Sequence, residues 1–247
     1  MYWLVKRLIK LSRPRSKRKI LNYVLESEIE PNVFFNLKRH GYYPADIIDV
    51  GAYEGEWTRR LKAIYPSSRV LMVEPLAKEP FLSKVQKDWP DVSYSIQLLG
   101  SKTGTEKRFY ECETGSSYYE ENSPAKKNPT VRKTQSLDDL LSSLSHVLRS
   151  PSLLKIDSQG SELDILDGAR QSLQFFEMIY LEVPIVLYNH DAPDFEAYIT
   201  YMSRIGYRVF DVSTHHSTMK MLVQIDIIFL KNDSNLANSF SKALKDS

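Results

Sequence analysis

An α/β domain with a mostly parallel sheet covered by helices on both faces is the fold this sequence predicts, on three observations. A short apolar run at 46–50, DIIDV, leads into two glycines four residues apart, Gly51 and Gly55, and then into a segment with helical spacing. Further apolar runs, RVLMVEP, SLLKIDSQG and EMIYLEVP, alternate with helix-like stretches, the order that makes a parallel sheet. These three runs also deliver carboxylates, Glu74, Asp157 and Glu182, to the strand ends where open α/β sheets bind ligands.

Each element follows from its residues. Leu21, Val24, Leu25, Phe34, Phe35 and Leu37 suggest helical packing around Pro31, ending at Gly41, as a lid or brace before the sheet. The run at 46–50 has the β-branched content of a strand buried on both faces. Glycine then lets the backbone turn sharply and approach a ligand. In EWTRRLKAIYP, Trp57, Leu61 and Ile64 share one helical face and Pro66 ends it. RVLMVEP is the second strand, LAKEPFLSKVQKDWP a helix and VSYSIQLLG the third strand. TEKRFYECE, after the turn SKTG, reads as an antiparallel edge strand, and GSSYYEENSPAKKNP as a polar loop long enough to be functional. Ser136 caps a helix at SLDDLLSSL, with Asp139 three residues on. SLLKIDSQG is a strand closed by Gly160, SELDILDGAR a helix with Leu163 and Leu166 inward, and EMIYLEVP a strand. DFEAYITYMSRIGY is a helix, YRVFDV a strand and MLVQIDIIFLK a longer closing strand, where Gln224 and Asp226 mark a less buried face. The boundaries are 1–41 for a basic arm and helical extension, 42–232 for the domain and 233–247 for a polar tail.

Two cofactors suit such a glycine loop. A dinucleotide fingerprint needs a second glycine where Tyr53 stands, which disfavours NAD. S-adenosylmethionine needs the tight turn but not so bare an approach, and acids such as Asp49 favour its ammonium group. Glu74, about twenty residues further on, can accept bonds from both ribose hydroxyls of either cofactor. An ordinary βα turn remains the bland alternative for the glycine pair.

At 247 residues and 42% hydrophobic content the chain suits one α/β domain plus a small appendage. The lone Cys112 excludes an internal disulfide framework and thiolate metal clusters and fits a reducing cytosol, so a cytoplasmic location is expected. The first twenty residues carry eight Lys or Arg and no acid, leaving 25 bases against 31 acids. This arm is too short and too charged to span a bilayer. Trp3, Leu4, Leu8 and Leu11 among the bases would suit a helix lying on anionic lipid, a solvated terminus being the alternative and nucleic acid a weaker one.

The residues DVGAYEGEWT, VEP, SLDDLL, LLKIDSQGSELDILDGA and IYLEV together resemble the FkbM family of S-adenosylmethionine-dependent methyltransferases, from Ile47 to about Leu230. The pattern KIDxQGxExxxLxGA is its most specific part. The resemblance implies a class I methyltransferase fold, a Rossmann-like three-layer sandwich with a seven-stranded sheet whose last strand is antiparallel. It implies a cofactor loop of Asp49, Gly51, Ala52, Tyr53, Glu54 and Gly55 with Thr58, a ribose site at Glu74 and Pro75, an adenine wall at Leu99, Gly100 and Ser101, and Asp157 at the cofactor's edge. The family's loop usually carries Asn where Tyr53 stands. By the same resemblance the acceptor is a hydroxyl of a glycan or glycolipid, or of a polyketide.

Methyl transfer to an alcohol requires alignment and somewhere for a proton to go. Asp157, with Glu182, is the candidate for that role, and the pair would also suit Mg²⁺. The alternative is that Asp157 caps the next helix and Glu182 pairs with Lys155. His190, in a loop just beyond Glu182, is a further candidate base and ranks above His215 and His216, which are expected in a turn. The Tyr118 and Tyr119 pair could stack on a sugar ring or simply lie in a surface loop. Amino-directed methyltransferases carry a proline-rich, aromatic-ended tetrapeptide where this chain has DSQG, and Cys112 lacks the context of a cytosine-methylating nucleophile. Two other classes stand as alternatives, a non-catalytic cofactor-binding regulatory module and a nicotinamide-dependent oxidoreductase.

Overall fold

The computed structural model of the protein describes residues 33–120, 129–187, 189–218 and 220–236. The basic arm, the first part of the expected 20–40 helix, the centre of the polar loop and most of the polar tail lie outside the described residues. Among the described residues no helix is long and apolar enough to cross a membrane.

In chain order the elements are α1 (Val33–Arg39), β1 (Asp46–Val50), α2 (Glu56–Ile64), β2 (Arg69–Glu74), α3 (Glu79–Asp88), β3 (Val92–Ile96), β4 (Glu106–Phe109) and β5 (Thr130–Lys133). They continue with α4 (Leu137–Ser143), β6 (Ser152–Ile156), α5 (Glu162–Asp167), β7 (Phe176–Pro184), α6 (Phe195–Arg204), β8 (Tyr207–Thr218) and β9 (Met221–Lys231). Seven strands form one sheet in the order β3-β2-β1-β6-β7-β9-β8. Only β9 runs against its neighbours β7 and β8. The expected sheet and its antiparallel last strand are therefore present.

Strand alternation sorts the core into two layers. Ile48, Leu71 and Leu154 join α4, α5 and α6 through Leu140, Leu166 and Met202. Their neighbours Ile47, Met72 and Leu153 join α1, α2 and α3 through Leu37, Leu61 and Val85. The same parity sends Asp49, Lys155 and Tyr180 toward the α1 and α2 side, which decides where the polar machinery sits. Ser136 caps α4 as expected, its hydroxyl accepting from the Asp139 amide at 3.1 Å.

Two segments differ from the sequence reading. The strand in TEKRFYECE is not an edge of the main sheet: β4 pairs with β5 in a separate antiparallel ribbon. Its one buried residue, Phe109, packs with Leu76, Leu98 and Tyr118 over the carboxyl end of the sheet, so the ribbon folds onto the site rather than beside it. The other difference is β8, which continues past YRVFDV and carries His215 and His216 as strand residues opposite Ile225 and Gln224.

At the opposite end of the sheet Asp46 is fully buried and accepts from Arg69 Nε at 2.5 Å, the Arg149 amide at 2.8 Å and Arg149 Nε at 3.1 Å. Burial pushes its carboxyl up, but the bonds from Arg69 and Arg149 outweigh this and hold it below the usual aspartate range. A lowered native pKa adds stability above the unfolded value of about 3.9 and loses it as the pH falls through the native one. Asp46→Asn is expected to destabilise the protein by about 2 kcal/mol at neutral pH. Urea melts should show that gap narrowing toward about pH 3; an equal gap at both pH values would overturn this account.

Candidate active site

The loop after β1 is shaped by close contacts. Gly51 has φ 72°, and a Cβ there would lie 1.8 Å from the Asp157 carbonyl oxygen, so the ends of β1 and β6 meet only because residue 51 has no side chain. The turn holds the Tyr53 amide 2.7 Å from Glu74 Oε2, and the Leu76 amide donates to Oε1 at 2.9 Å. Each Glu74 oxygen keeps a further lone pair. Burial raises the affinity of this carboxyl for its proton, against the pull of the Leu76 and Tyr53 amides and of Lys155. Glu74 lines a cleft of about 630 Å³, with Val50, Gly51, Leu98 and Leu99 on the sheet side, Asp157 and Ile165 beyond, and Phe109 and Tyr118 as a third wall.

Behind the loop Lys155 is buried, its ammonium 3.2 Å from Asp49 Oδ1 and 3.4 Å from Asp157 Oδ2, and it donates to the Gly51 carbonyl at 2.9 Å. Burial works against its charge, but the Asp49 and Asp157 carboxylates more than compensate and raise its pKa above that of an ordinary lysine. Thr58 donates to Asp49 Oδ2 at 2.6 Å. In front, Gln159 Nε2 donates to Glu182 Oε2 at 2.5 Å and to Asp157 Oδ1 at 3.3 Å. Burial first, then the carboxylates of Asp157, Glu162 and Asp226, push the Glu182 carboxyl well above the usual glutamate range. Glu162 organises the turn, accepting from the Ser158 amide at 2.8 Å, the Gly160 amide at 3.0 Å and the Tyr198 hydroxyl. A second cleft of about 260 Å³ opens beside this cluster, lined by Glu182, Leu187, Asn189, Ala192 and Gln224, and it shares Gln159 with the first.

The profile described as the methyltransferase FkbM domain matches residues 49–209. The chain belongs to the FkbM methyltransferase family. Among solved structures, a methyltransferase FkbM from Methylobacillus flagellatus KT has a TM-score of 0.51 at 19% identity, over 90% of this chain and 57% of that one. This chain thus spans little more than half the length of that relative. Aeropyrum pernix fibrillarin, solved with natively bound S-adenosyl-L-methionine, has a TM-score of 0.46 at 13% identity, over 76% of this chain and 67% of that one. Magnesium protoporphyrin IX methyltransferase from Synechocystis PCC 6803, solved with bound SAM, has a TM-score of 0.46 at 8% identity, over 94% of this chain and 91% of that one. Comparison with curated protein sequences returns no match.

In this member of the FkbM family the sequence-derived residues divide into those that line the clefts and those that hold them. Gly51, Tyr53, Glu74, Pro75, Leu99 and Asp157 line the larger cleft, and Glu182 the smaller. Asp49 and Thr58 are fully buried beneath the loop, Thr58 holding Asp49 and Asp49 pairing with Lys155. Ala52 is also buried, and Gly55 packs on α3, where a Cβ would stand 2.7 Å from Val85 Cγ2. Glu54 lies 3.7 Å from Lys78, at the rim. Gly100 sits against Thr134 instead of the cleft, and the wall expected at 99–101 is formed by 97–99 because the chain turns away toward α4 at Gly100. The Tyr53 side chain crosses the mouth, its hydroxyl donating to Glu113 Oε2 at 2.6 Å and Lys78 lying 4.0 Å from its ring centre.

The alternative of Asp157 as a helix cap does not hold, since the N-cap of α5 is Ser161 and no side chain caps that helix. Lys155 pairs with Asp49 and Asp157, while Glu182 takes the Gln159 amide, which bridges the two carboxylates where Mg²⁺ was expected. His190 is exposed, with its amide donating to the Glu120 carbonyl at 2.7 Å, and it lines neither cleft. Its neighbour Asn189 is the buried one, donating to the Gln159 carbonyl at 2.7 Å. Tyr118 and Tyr119 both donate to Asp164 Oδ2, at 2.7 and 3.0 Å, and Tyr118 is a packed wall of the larger cleft instead of an open stacking platform. The site residues that sequence reading does not single out are Gln159, Asn189 and Glu162, although the pattern KIDxQGxE carries the signal for Gln159 and Glu162.

Proposed function

We propose that this methyltransferase uses S-adenosylmethionine to methylate a hydroxyl of a saccharide, carried on a glycan or glycolipid. The residues present suit that cofactor: apolar walls at Val50, Leu98, Leu99 and Ile165 for a nucleoside, and a buried Glu74 with free lone pairs for vicinal hydroxyls. The cofactor, when bound, supplies a methyl group already activated by its positive sulfur. The chain's own part is then to orient the acceptor and receive its proton.

The observation that carries the reading is the arrangement around Gln159. Asp157 reaches the larger cleft and Glu182 the smaller, and one amide holds both. Asp157, at the larger cleft where the methyl donor would lie, is placed to take the acceptor's proton, and Glu182, at the smaller cleft, is placed to orient the acceptor oxygen. The smaller cleft sets the amides of Gln159, Asn189 and Gln224 beside Pro184, Leu187 and Ala192, which offers a hydroxyl-bearing ring hydrogen-bond partners at its edge and apolar contact on its face.

Asp157→Asn keeps the shape of the site and removes the acceptor of the proton. With a radiolabelled methyl donor and a panel of nucleotide sugars and lipid-linked glycans, its turnover is expected to fall by about 10²- to 10⁴-fold while cofactor affinity holds. Full turnover in that variant would sink the proton-accepting role. Methylation of polyketide hydroxyls alone would overturn the saccharide assignment.

A further inference from the structure

At the edge of the smaller cleft, Glu182, His216 and Asp226 bring three ligand atoms within 4.8 Å of one another. The strand register builds this set. Antiparallel pairing of β7 and β9 places Glu182 opposite Asp226, and pairing of β8 and β9 places His216 opposite Gln224, two residues from Asp226 and so on the same sheet face. His216 Nε2 is 3.7 Å from Asp226 Oδ2.

The two acids are aimed by neighbours. The Tyr180 hydroxyl donates to Asp226 Oδ2 at 2.7 Å, and the Thr214 hydroxyl donates to the same atom. Gln159 donates to Glu182. Outer bonds of this kind fix the direction of a ligating carboxylate. Asp226 and His216 line neither cleft, so the methyl-transfer chemistry derived above makes no use of them.

We propose that Glu182, His216 and Asp226 form a binding site for one divalent first-row metal ion. One imidazole nitrogen with two carboxylate oxygens is a donor set for Mn²⁺, Fe²⁺ or Zn²⁺, whereas Mg²⁺ favours oxygen throughout. Metal bonds of about 2.0–2.2 Å set neighbouring donors roughly 3–3.5 Å apart, so side-chain rotation alone closes the set. Glu182 also lines the smaller cleft, so an ion held there borders the acceptor pocket. The site stands whether or not the acceptor is a sugar.

The test is a titration of chelator-treated full-length protein with Mn²⁺, read by electron paramagnetic resonance, with Zn²⁺ and Mg²⁺ as competitors. The expected result is one Mn²⁺ per chain, displaced by Zn²⁺ far more readily than by Mg²⁺. His216 is exposed in its strand, so His216→Ala should fold, and there we expect affinity to fall by at least about tenfold. Asp226→Asn should fall likewise. S-adenosylhomocysteine titrations of the same samples should be unchanged. Absence of Mn²⁺ and Zn²⁺ binding in the wild type, or unchanged affinity in His216→Ala, would overturn the proposal. Metal binding that persists where S-adenosylhomocysteine does not bind would uphold the site and count against the methyl-transfer reading.

Discussion

Glu74→Ala is expected to abolish measurable binding of S-adenosylmethionine and S-adenosylhomocysteine. A buried carboxylate that accepts from two ribose hydroxyls makes charge-assisted bonds, each worth about 1.5–3 kcal/mol, so loss of the pair should weaken binding by at least about 3 kcal/mol, roughly 150-fold. The variant has a second effect, because the Tyr53 and Leu76 amides lose their acceptor and the glycine loop loses its anchor to β2. Glu74→Gln separates the two, since the remaining carbonyl can serve one amide while the charge is gone. Calorimetric titration with both nucleosides and with NAD checks the expectation. Retained S-adenosylhomocysteine affinity in Glu74→Ala would remove the ribose role, and binding of NAD alone would replace the methyltransferase reading with an oxidoreductase one.

The largest stability effect is expected at Lys155. Its ammonium is the cation between Asp49, which is fully buried, and Asp157, and it also ties down the Gly51 carbonyl. Lys155→Met leaves the Asp49 carboxylate in the core without its counter-charge, for which about 3–5 kcal/mol is the ordinary penalty. In a chain of this size that is roughly 10 °C of melting temperature. Adding Asp49→Asn should recover most of the loss, because the remaining amide still accepts from Thr58 and carries no charge. A single Lys155→Met variant within about 1 kcal/mol of the wild type would show that Asp49 is not sustained by this lysine. Equal melting temperatures for the single and double variants would show the same.

The sheet could be read from the chain because its strands are buried on both faces and therefore nearly all apolar, as in Ile47, Ile48 and Val50 or Leu153, Leu154 and Ile156. The carboxylates at strand ends were equally visible. What the sequence hid was direction. Asp49 reads as a ligand by its place near the end of β1, yet alternation turns it to the side where Lys155 lies directly across from it in β6. Once the register is known, that pairing is a simple matter of parity. β5 was hidden for another reason: TVRK is four residues of mostly exposed chain with no buried face to betray it. At 189–190 the ionisable residue drew attention while its neutral neighbour took the buried position, since a histidine announces chemistry by type and an asparagine only by contact.

Gln159 is a wall of both clefts and a donor to a carboxylate in each. A ligand that settles the orientation of this amide from one side settles part of the pocket on the other. The two binding equilibria are then thermodynamically linked, and whatever factor the donor adds to acceptor affinity the acceptor must return to the donor. On the proposed reading, that reciprocity between donor and acceptor affinity runs through a single side-chain torsion.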